Sequence, residues 1–183
     1  MGTHWPKLYT MEQNNELPAE VFARIDRGDD FGWPYCYFDP RQNKHVLAPE
    51  YGGDGGKMQG VCAQKNQPAL TFPAHWAPNG MTFYYASTFP PKYRGGAFVV
   101  FHGSHDRTPT QAGYRVAFVP FDAGKPAGRY EEFATGFSGS APLSKPTEAP
   151  HRPMAVAVGP DGALYVSDDV KGRIWRITYV GGV

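Results

Sequence analysis

From residue 73 onward, short apolar and β-branched runs recur along the chain, each closed by Gly, Pro, Asn or Asp. The runs are "MTFYYA", "AFVVF", "YRVAFVPF", "YEEFATGF", "MAVAV", "ALYVS" and "RIWRITY". Runs of this length, rich in β-branched and aromatic residues and bounded by turn formers, predict strands. "GPDG", between "MAVAV" and "ALYVS", predicts a hairpin. Upstream the pattern weakens. "ELPAEVFARID" is compatible with a short helix, but Val21, Ala23 and Ile25 alternate with Phe22 and Arg24, which favours a strand. "PALTF" reads as a second strand. "FGWPYCYFDP", aromatic with two prolines, reads as an irregular packed segment, and "PEYGGDGGKMQG" as a flexible loop.

The runs repeat. "HWAPNGMTFYYA" parallels "HRPMAVAV", "GGAFVVF" parallels "DGALYVS", and "GYRVAFV" parallels "GRIWRIT". Each unit reads strand, turn, strand, polar loop, strand, as in consecutive blades of a β-propeller. The predicted fold is therefore all-β: a partial six-bladed propeller of about two and a half to three four-stranded antiparallel blades. Residues 1–72 form an incomplete blade, 73–140 a full blade and 141–183 the last blade of a single domain. Equivalent loops face the same end of such a fold, so "HGSHDR" and "SDDVKGR" are expected as neighbours, beside His75 and His151.

Composition agrees with many short strands: 22 Gly, 18 Pro and 15% aromatic residues in 183. With 18 basic against 17 acidic residues there is no basic stripe, so nucleic acid is a poor partner. No apolar run approaches the ~18 residues of a membrane helix, and "GTHWPKLY" after Met1 has neither the basic region nor the apolar core of a leader. The two cysteines, Cys36 and Cys62, fit no zinc spacing. They are either free thiols or one disulfide clipping the Gly-rich stretch, which an exporting compartment favours.

The polar knot after "AFVVF" concentrates the chemistry: His102, Ser104, His105, Asp106 and Arg107. Imidazoles and a carboxylate there suit a cofactor- or sugar-facing mouth, a metal site with His75 or His151, or a satisfied polar loop. A Ser-His-Asp hydrolase built on Ser104 lacks a nucleophile elbow. Asp168 and Asp169 are a candidate calcium pair, or turn caps. Trp33, Trp76 and Trp175 are either sugar-stacking or buried rings. "GGDGG" is not a phosphate loop, since no Lys-Ser or Lys-Thr follows.

Several long stretches, in order, resemble the soluble glucose/sorbosone dehydrogenase family. They are "ELPAEVFARIDRGDDFGWPYCYFDP", "APEYGGDG", "PAHWAPNGMTFY", "FPPKYRGGAFVVFHGSHDR", "GYRVAFVPF", "FATGF" and "RPMAVAVGPDGALYVSDDVKGRIWRITY". The resemblance implies a six-bladed propeller carrying pyrroloquinoline quinone (PQQ), usually with calcium, and hydride transfer from an aldose or aldehyde hydrate to the quinone. It covers the C-terminal half of that family only. The family's base histidine belongs upstream, so no residue here inherits that role. The resemblance carries over a cofactor cradle of His75, His102, Arg107 and Arg152, the arginines matching quinone carboxylates as planar forks. Two departures stand out: His105 and Asp106 replace a Trp-Asn pair, and His151 precedes Arg152 where the family more often has Gly. The resemblance also implies a periplasmic or secreted protein.

Two readings follow. In one the chain is the C-terminal part of a PQQ-dependent sugar dehydrogenase, which needs a complementary propeller half. In the other it is a non-catalytic half-propeller that homodimerises to cover its strand edges and binds metal or carbohydrate.

Overall fold

The computed structural model describes residues 9–140 and 142–181. The stretch after Met1 read for a leader lies outside them except for Tyr9. The chain divides into two compact units, Met1–His75 with Asp106–Thr108, and Trp76–His105 with Pro109–Val183. Among the described residues, no helix is long and apolar enough to cross a membrane.

The first unit opens with a helix that the apolar pattern does not announce, α1 (Met11–Glu16). A capping box makes it: the Thr10 hydroxyl accepts from the Gln13 N–H at 3.2 Å, and the Gln13 amide oxygen accepts from the Thr10 N–H at 2.8 Å. The strand reading of "ELPAEVFARID" is met in its centre, by β1 (Glu20–Phe22). The hairpin of β2 (Cys36–Asp39) and β3 (Lys44–Leu47) corrects the irregular reading of "FGWPYCYFDP". All four β2 residues are buried, so no alternation marks the strand in the sequence. At its end, buried Asp39 accepts from the Arg41 backbone N–H at 2.9 Å, the Arg41 guanidinium at 3.2 Å and the Gln42 amide at 2.7 Å, which builds the turn. Burial pushes the Asp39 carboxyl up, but these donors outweigh it and hold the group below the usual range. β4 (Leu70–Phe72), within "PALTF", pairs antiparallel with β1. Tyr9, Leu17, Tyr37, Val46 and Ala48 form the buried cluster. Cys36 and Cys62 are joined in a disulfide, so of the two cysteine readings the clip holds.

The second unit follows the periodicity closely. β5 (Pro78–Phe83), β6 (Ala97–Phe101) and β7 (Arg115–Val119) come first, then a two-stranded ribbon of β8 (Phe121–Asp122) and β9 (Lys125–Pro126), then β10 (Glu131–Ala134). They build an antiparallel sheet in the order β5-β6-β7-β10. β11 (Pro153–Val158), β12 (Leu164–Asp168) and β13 (Arg173–Ile177) build a second sheet in that order, with the "GPDG" turn between β11 and β12. β5 starts before "MTFYYA" and stops at Phe83, because Tyr84 turns into the core. There the Tyr84 hydroxyl donates to the Gly162 carbonyl at 2.9 Å.

Every β6 residue is buried, which marks it as the centre of its sheet. Phe98, Val100, Val116 and Phe118 from the first sheet pack with Leu164 and Val166 from the second. Phe98 lies 4.5 Å from Phe133 and 5.2 Å from Phe118, ring centre to ring centre, in tilted arrangements. The first strands of the two sheets meet closely: a Cβ on Gly80 would stand 3.2 Å from the Ala155 Cα. The architecture is nearly all-β, with successive antiparallel sheets in the manner of propeller blades.

Candidate functional site

In the second unit, β6 runs out into His102 and Gly103. The His102 N–H donates to the Ala77 carbonyl at 2.9 Å and the Gly103 N–H to the Trp76 carbonyl at 3.0 Å. Gly103 has φ +96, and a Cβ there would stand 2.3 Å from the Tyr114 ring, so glycine is the residue this turn accepts. The His102 ring is held by Asp169, whose two carboxylate oxygens lie 3.1 and 3.0 Å from Nε2. A carboxylate only accepts, so the proton sits on Nε2 and Nδ1 carries the lone pair when the ring is neutral.

Arg152 locks the same corner. Its backbone N–H donates to Asp168 at 3.0 Å, Nε to the His102 carbonyl at 3.2 Å and Nη2 to the Gly103 carbonyl at 3.0 Å. Its guanidinium lies 5.7 Å from the Tyr114 ring centre. His151 donates through Nδ1 to Asp168 at 2.6 Å and meets Trp175 edge-on at 5.2 Å. Asp168 is buried and also accepts from the Val170 N–H at 3.1 Å. Burial raises its carboxyl, but the Arg152 N–H, the His151 ring and the Val170 N–H outweigh this and hold it below the usual range. This corner therefore joins "HGS" to "SDD", as the repeat predicts, and holds one guanidinium and two imidazoles, each imidazole oriented by a carboxylate.

His75 and Arg107 belong to the first unit. His75 adopts φ 62, unusual for a residue with a side chain, and its Nε2 donates to the Asn14 carbonyl at 2.7 Å. Arg107 donates through Nη1 to the carbonyls of Asn15 and Ala74, and through Nη2 to the Glu16 carboxylate at 3.1 Å. Its guanidinium clamps the end of α1.

The remaining candidates divide plainly. Ser104 is buried, donates to the Gln111 amide oxygen at 2.7 Å and accepts from the Ala112 N–H at 2.8 Å, a structural role with no nucleophile geometry. His105 is exposed and Asp106 half-buried. Trp76 is buried under the Arg115 guanidinium, 4.3 Å from its ring, whereas Trp33 and Trp175 reach solvent. Among the described residues, no three His, Cys, Asp or Glu side chains come together to hold a metal ion. Asp169 as the anchor of His102, and the buried His45, were not singled out from the sequence. The repeat, which aligns the ends of β6 and β12, was the signal available for Asp169.

Antiparallel sheets packed first strand to first strand, with polar loops gathered at the strand ends, define a β-propeller-like fold. The TrAA12-like family model matches residues 10–180, and the chain belongs to that family. It is 27% identical over 168 residues to an uncharacterised protein of Borreliella burgdorferi, covering 91% of this chain and 40% of that one. It superposes with TM-score 0.60 and 24% identity on the calcium structure of a Trichoderma reesei carbohydrate-active enzyme of family AA12, covering 80% of this chain and 38% of that one. A glucose dehydrogenase crystal structure superposes with TM-score 0.52 at 20% identity, over 84% of this chain and 36% of that one. The chain thus spans about two fifths of the length of these relatives.

Proposed function

We propose that the chain supplies part of the quinone and sugar site of a soluble PQQ-dependent sugar dehydrogenase, as the C-terminal part of its propeller. The observation that carries this reading is the fixed corner of Arg152, His102 and Asp169. Nε and Nη2 of Arg152 are tied to loop carbonyls, which sets the plane of the guanidinium, and Nη1 keeps its hydrogens for a ligand carboxylate. Family membership and the glucose dehydrogenase likeness support a sugar or aldehyde as substrate.

PQQ, when bound, is the acceptor of the hydride leaving the anomeric carbon. The chain's own part is positional. Arg152 binds and orients a planar carboxylate. Asp169 keeps the proton of His102 on Nε2, so Nδ1 accepts a hydrogen bond from a ligand hydroxyl. His75 and Arg107 of the first unit are carried as further cradle candidates by the resemblance alone; in their own unit His75 is bound to the Asn14 carbonyl and Arg107 to Glu16. The Trichoderma structure carries calcium, but no three-residue group among the described residues of this chain fits that ion. The Cys36–Cys62 disulfide supports an oxidising, periplasmic or secreted setting.

One observation bears on the second reading, in which two copies cover each other's edges. Among the described residues β13 is the last strand of a three-stranded sheet, and Ile174 on it is 72% exposed. Light scattering separates the readings: a clean dimer supports mutual closure, and a monomer removes it. Titration of PQQ followed by tryptophan fluorescence tests the first reading. Arg152→Ala is expected to weaken binding at least about tenfold, as loss of a charge-assisted pair does. Unchanged binding overturns the cradle.

A further inference from the structure

One buried carboxylate of the second unit orients an imidazole that the quinone cradle leaves unused. The Asp168 side chain is fully buried, and each of its oxygens is spent. Oδ1 accepts from the backbone N–H of Arg152 at 3.0 Å and from that of Val170 at 3.1 Å, and Oδ2 accepts from Nδ1 of His151 at 2.6 Å. His151 is held from its other sides as well. Its backbone N–H donates to the Phe137 carbonyl at 3.1 Å. Trp175, itself edge-on to Phe137 at 6.1 Å, meets the imidazole edge-on at 5.2 Å.

A proton on Nδ1 leaves the lone pair of the neutral ring on Nε2. Nε2 of His151 meets no donor or acceptor among the described residues and is open to solvent, the side chain being 16% exposed. Other described histidines lack this combination. His45 and His75 spend Nε2 on backbone carbonyls. His102 is oriented by Asp169, whose side chain is 49% exposed. Attraction between imidazolium and carboxylate is strongest where water does not screen it, so a proton arriving on His151 is met by the better placed charge. A buried carboxylate, an imidazole fixed through Nδ1 and an open Nε2 are the parts of a general base.

We propose that His151 is a proton-accepting residue of this corner, with Asp168 as its positioning residue. It takes the proton of a ligand hydroxyl: the O–H bond breaks, the oxygen keeps the electron pair, and an N–H bond forms at Nε2. The proposal rests on the sugar-acting reading for the hydroxyl ligand only. Diethyl pyrocarbonate, which acylates imidazole nitrogens carrying an open lone pair, is the probe. Its reaction with the full chain near neutral pH is followed residue by residue by mass spectrometry. His151 is expected to react at least as fast as the exposed His105. Asp168→Asn should slow His151 at least about tenfold and leave His105 unchanged, because the amide no longer keeps the ring proton on Nδ1. Imidazole nitrogen NMR gives a second readout, with the His151 proton on Nδ1 in the native chain and on Nε2 in that variant. Saturating D-glucose, alone or with PQQ, should slow the His151 reaction about fivefold, the worth of one hydrogen bond at Nε2.

An inert His151 in a chain whose His105 is consumed overturns the proposal. So does a rate indifferent to Asp168→Asn in a variant that melts as the native chain does. Where that variant fails to fold, the native chain decides: no protection of His151 by D-glucose under either condition overturns the hydroxyl-accepting role. The quinone reading fails separately. A chain that binds no PQQ but has a reactive, glucose-protected His151 keeps the dyad and loses the cradle, and PQQ binding beside an inert His151 does the reverse.

Discussion

The two units hold themselves together by different means. The second buries a continuous set of rings and branched side chains between two sheets, with Phe98, Val100, Val116 and Phe118 against Leu164 and Val166. The first has two-strand pairings, with Leu17, Phe38, Val46 and Phe72 among its buried apolar residues, and it adds a disulfide, the Asp39 turn and the Arg107 clamp. Where sheets are only two strands wide, cross-links and charge-assisted bonds add to what apolar burial supplies. The contrast extends to the two arginines that sequence resemblance groups together. Arg107 is tied to two carbonyls and its charge is met by Glu16. Arg152 is tied to two carbonyls through Nε and Nη2, and no carboxylate among the described residues meets its charge. The same residue type is a clamp in one unit and a candidate ligand fork in the other.

The hardest way to break this contrast is to hollow the aromatic core. Phe98→Ala is expected to cost the second unit about 3–5 kcal/mol. Hydrogen exchange of the β6 and β7 amides reads that loss, and a cost under about 1 kcal/mol would mean the rings are not what holds the sheets. Replacing both Cys36 and Cys62 by Ser should cost the first unit about 3–4 kcal/mol, the loop-closure entropy of a bridge spanning 26 residues. The β2 and β3 amides report it, and reduction of the native chain should reproduce it. If neither treatment moves those amides, the small cluster suffices without its staple.

The arginines give the sharper comparison at smaller cost. Arg107→Ala removes charge-assisted bonds to Asn15, Ala74 and Glu16 and is expected to destabilise the first unit by about 2 kcal/mol. Its effect on quinone affinity should be far below that of Arg152→Ala. Thermal melts and fluorescence titration on the same two proteins decide it. If Arg107→Ala abolishes quinone binding at native stability, the roles of the two arginines are reversed.

The same division governs what the sequence disclosed. The strands of the second unit were legible because their neighbours alternate or are uniformly apolar between turn residues, and "AFVVF" became β6 residue for residue. The internal repeat made the nearness of "HGS" and "SDD" legible, but not the hydrogen bond between His102 and Asp169. In the first unit the signals are local and polar. β2 is buried at every position and carries no period. α1, "MEQNNE", has no apolar stripe, and its announcement is the box formed by Thr10 and Gln13. The candidate cations were legible as residue types. Which of them is tied down by carbonyls was not, because backbone acceptors leave no mark in sequence.

The smallest expected effect separates the units by pH. His45 is buried, with its ring edge-on to Phe38 at 5.2 Å and Nε2 donating to the Asn66 carbonyl at 2.9 Å, while Nδ1 meets no partner. Burial pushes its imidazole below the usual histidine range. The Asn66 carbonyl and Asp30 oppose that shift, and Lys65 adds to it. The unfolded chain therefore takes a proton at His45 at a higher pH than the fold does. The stability this contributes is complete above about pH 6.5 and declines as pH falls from there toward the folded value. Asp168 behaves differently. Its carboxyl is held low in the fold, so its contribution persists until pH falls past about 3.9. Between these limits, exchange of the β2 and β3 amides should quicken as pH falls, after correction for intrinsic rates. Asp168 should add no comparable change at the end of β12. His45→Gln, which keeps a donor for Asn66 and cannot titrate, should flatten the profile of the first unit. A profile that keeps its slope in that variant would place the acid sensitivity on another group.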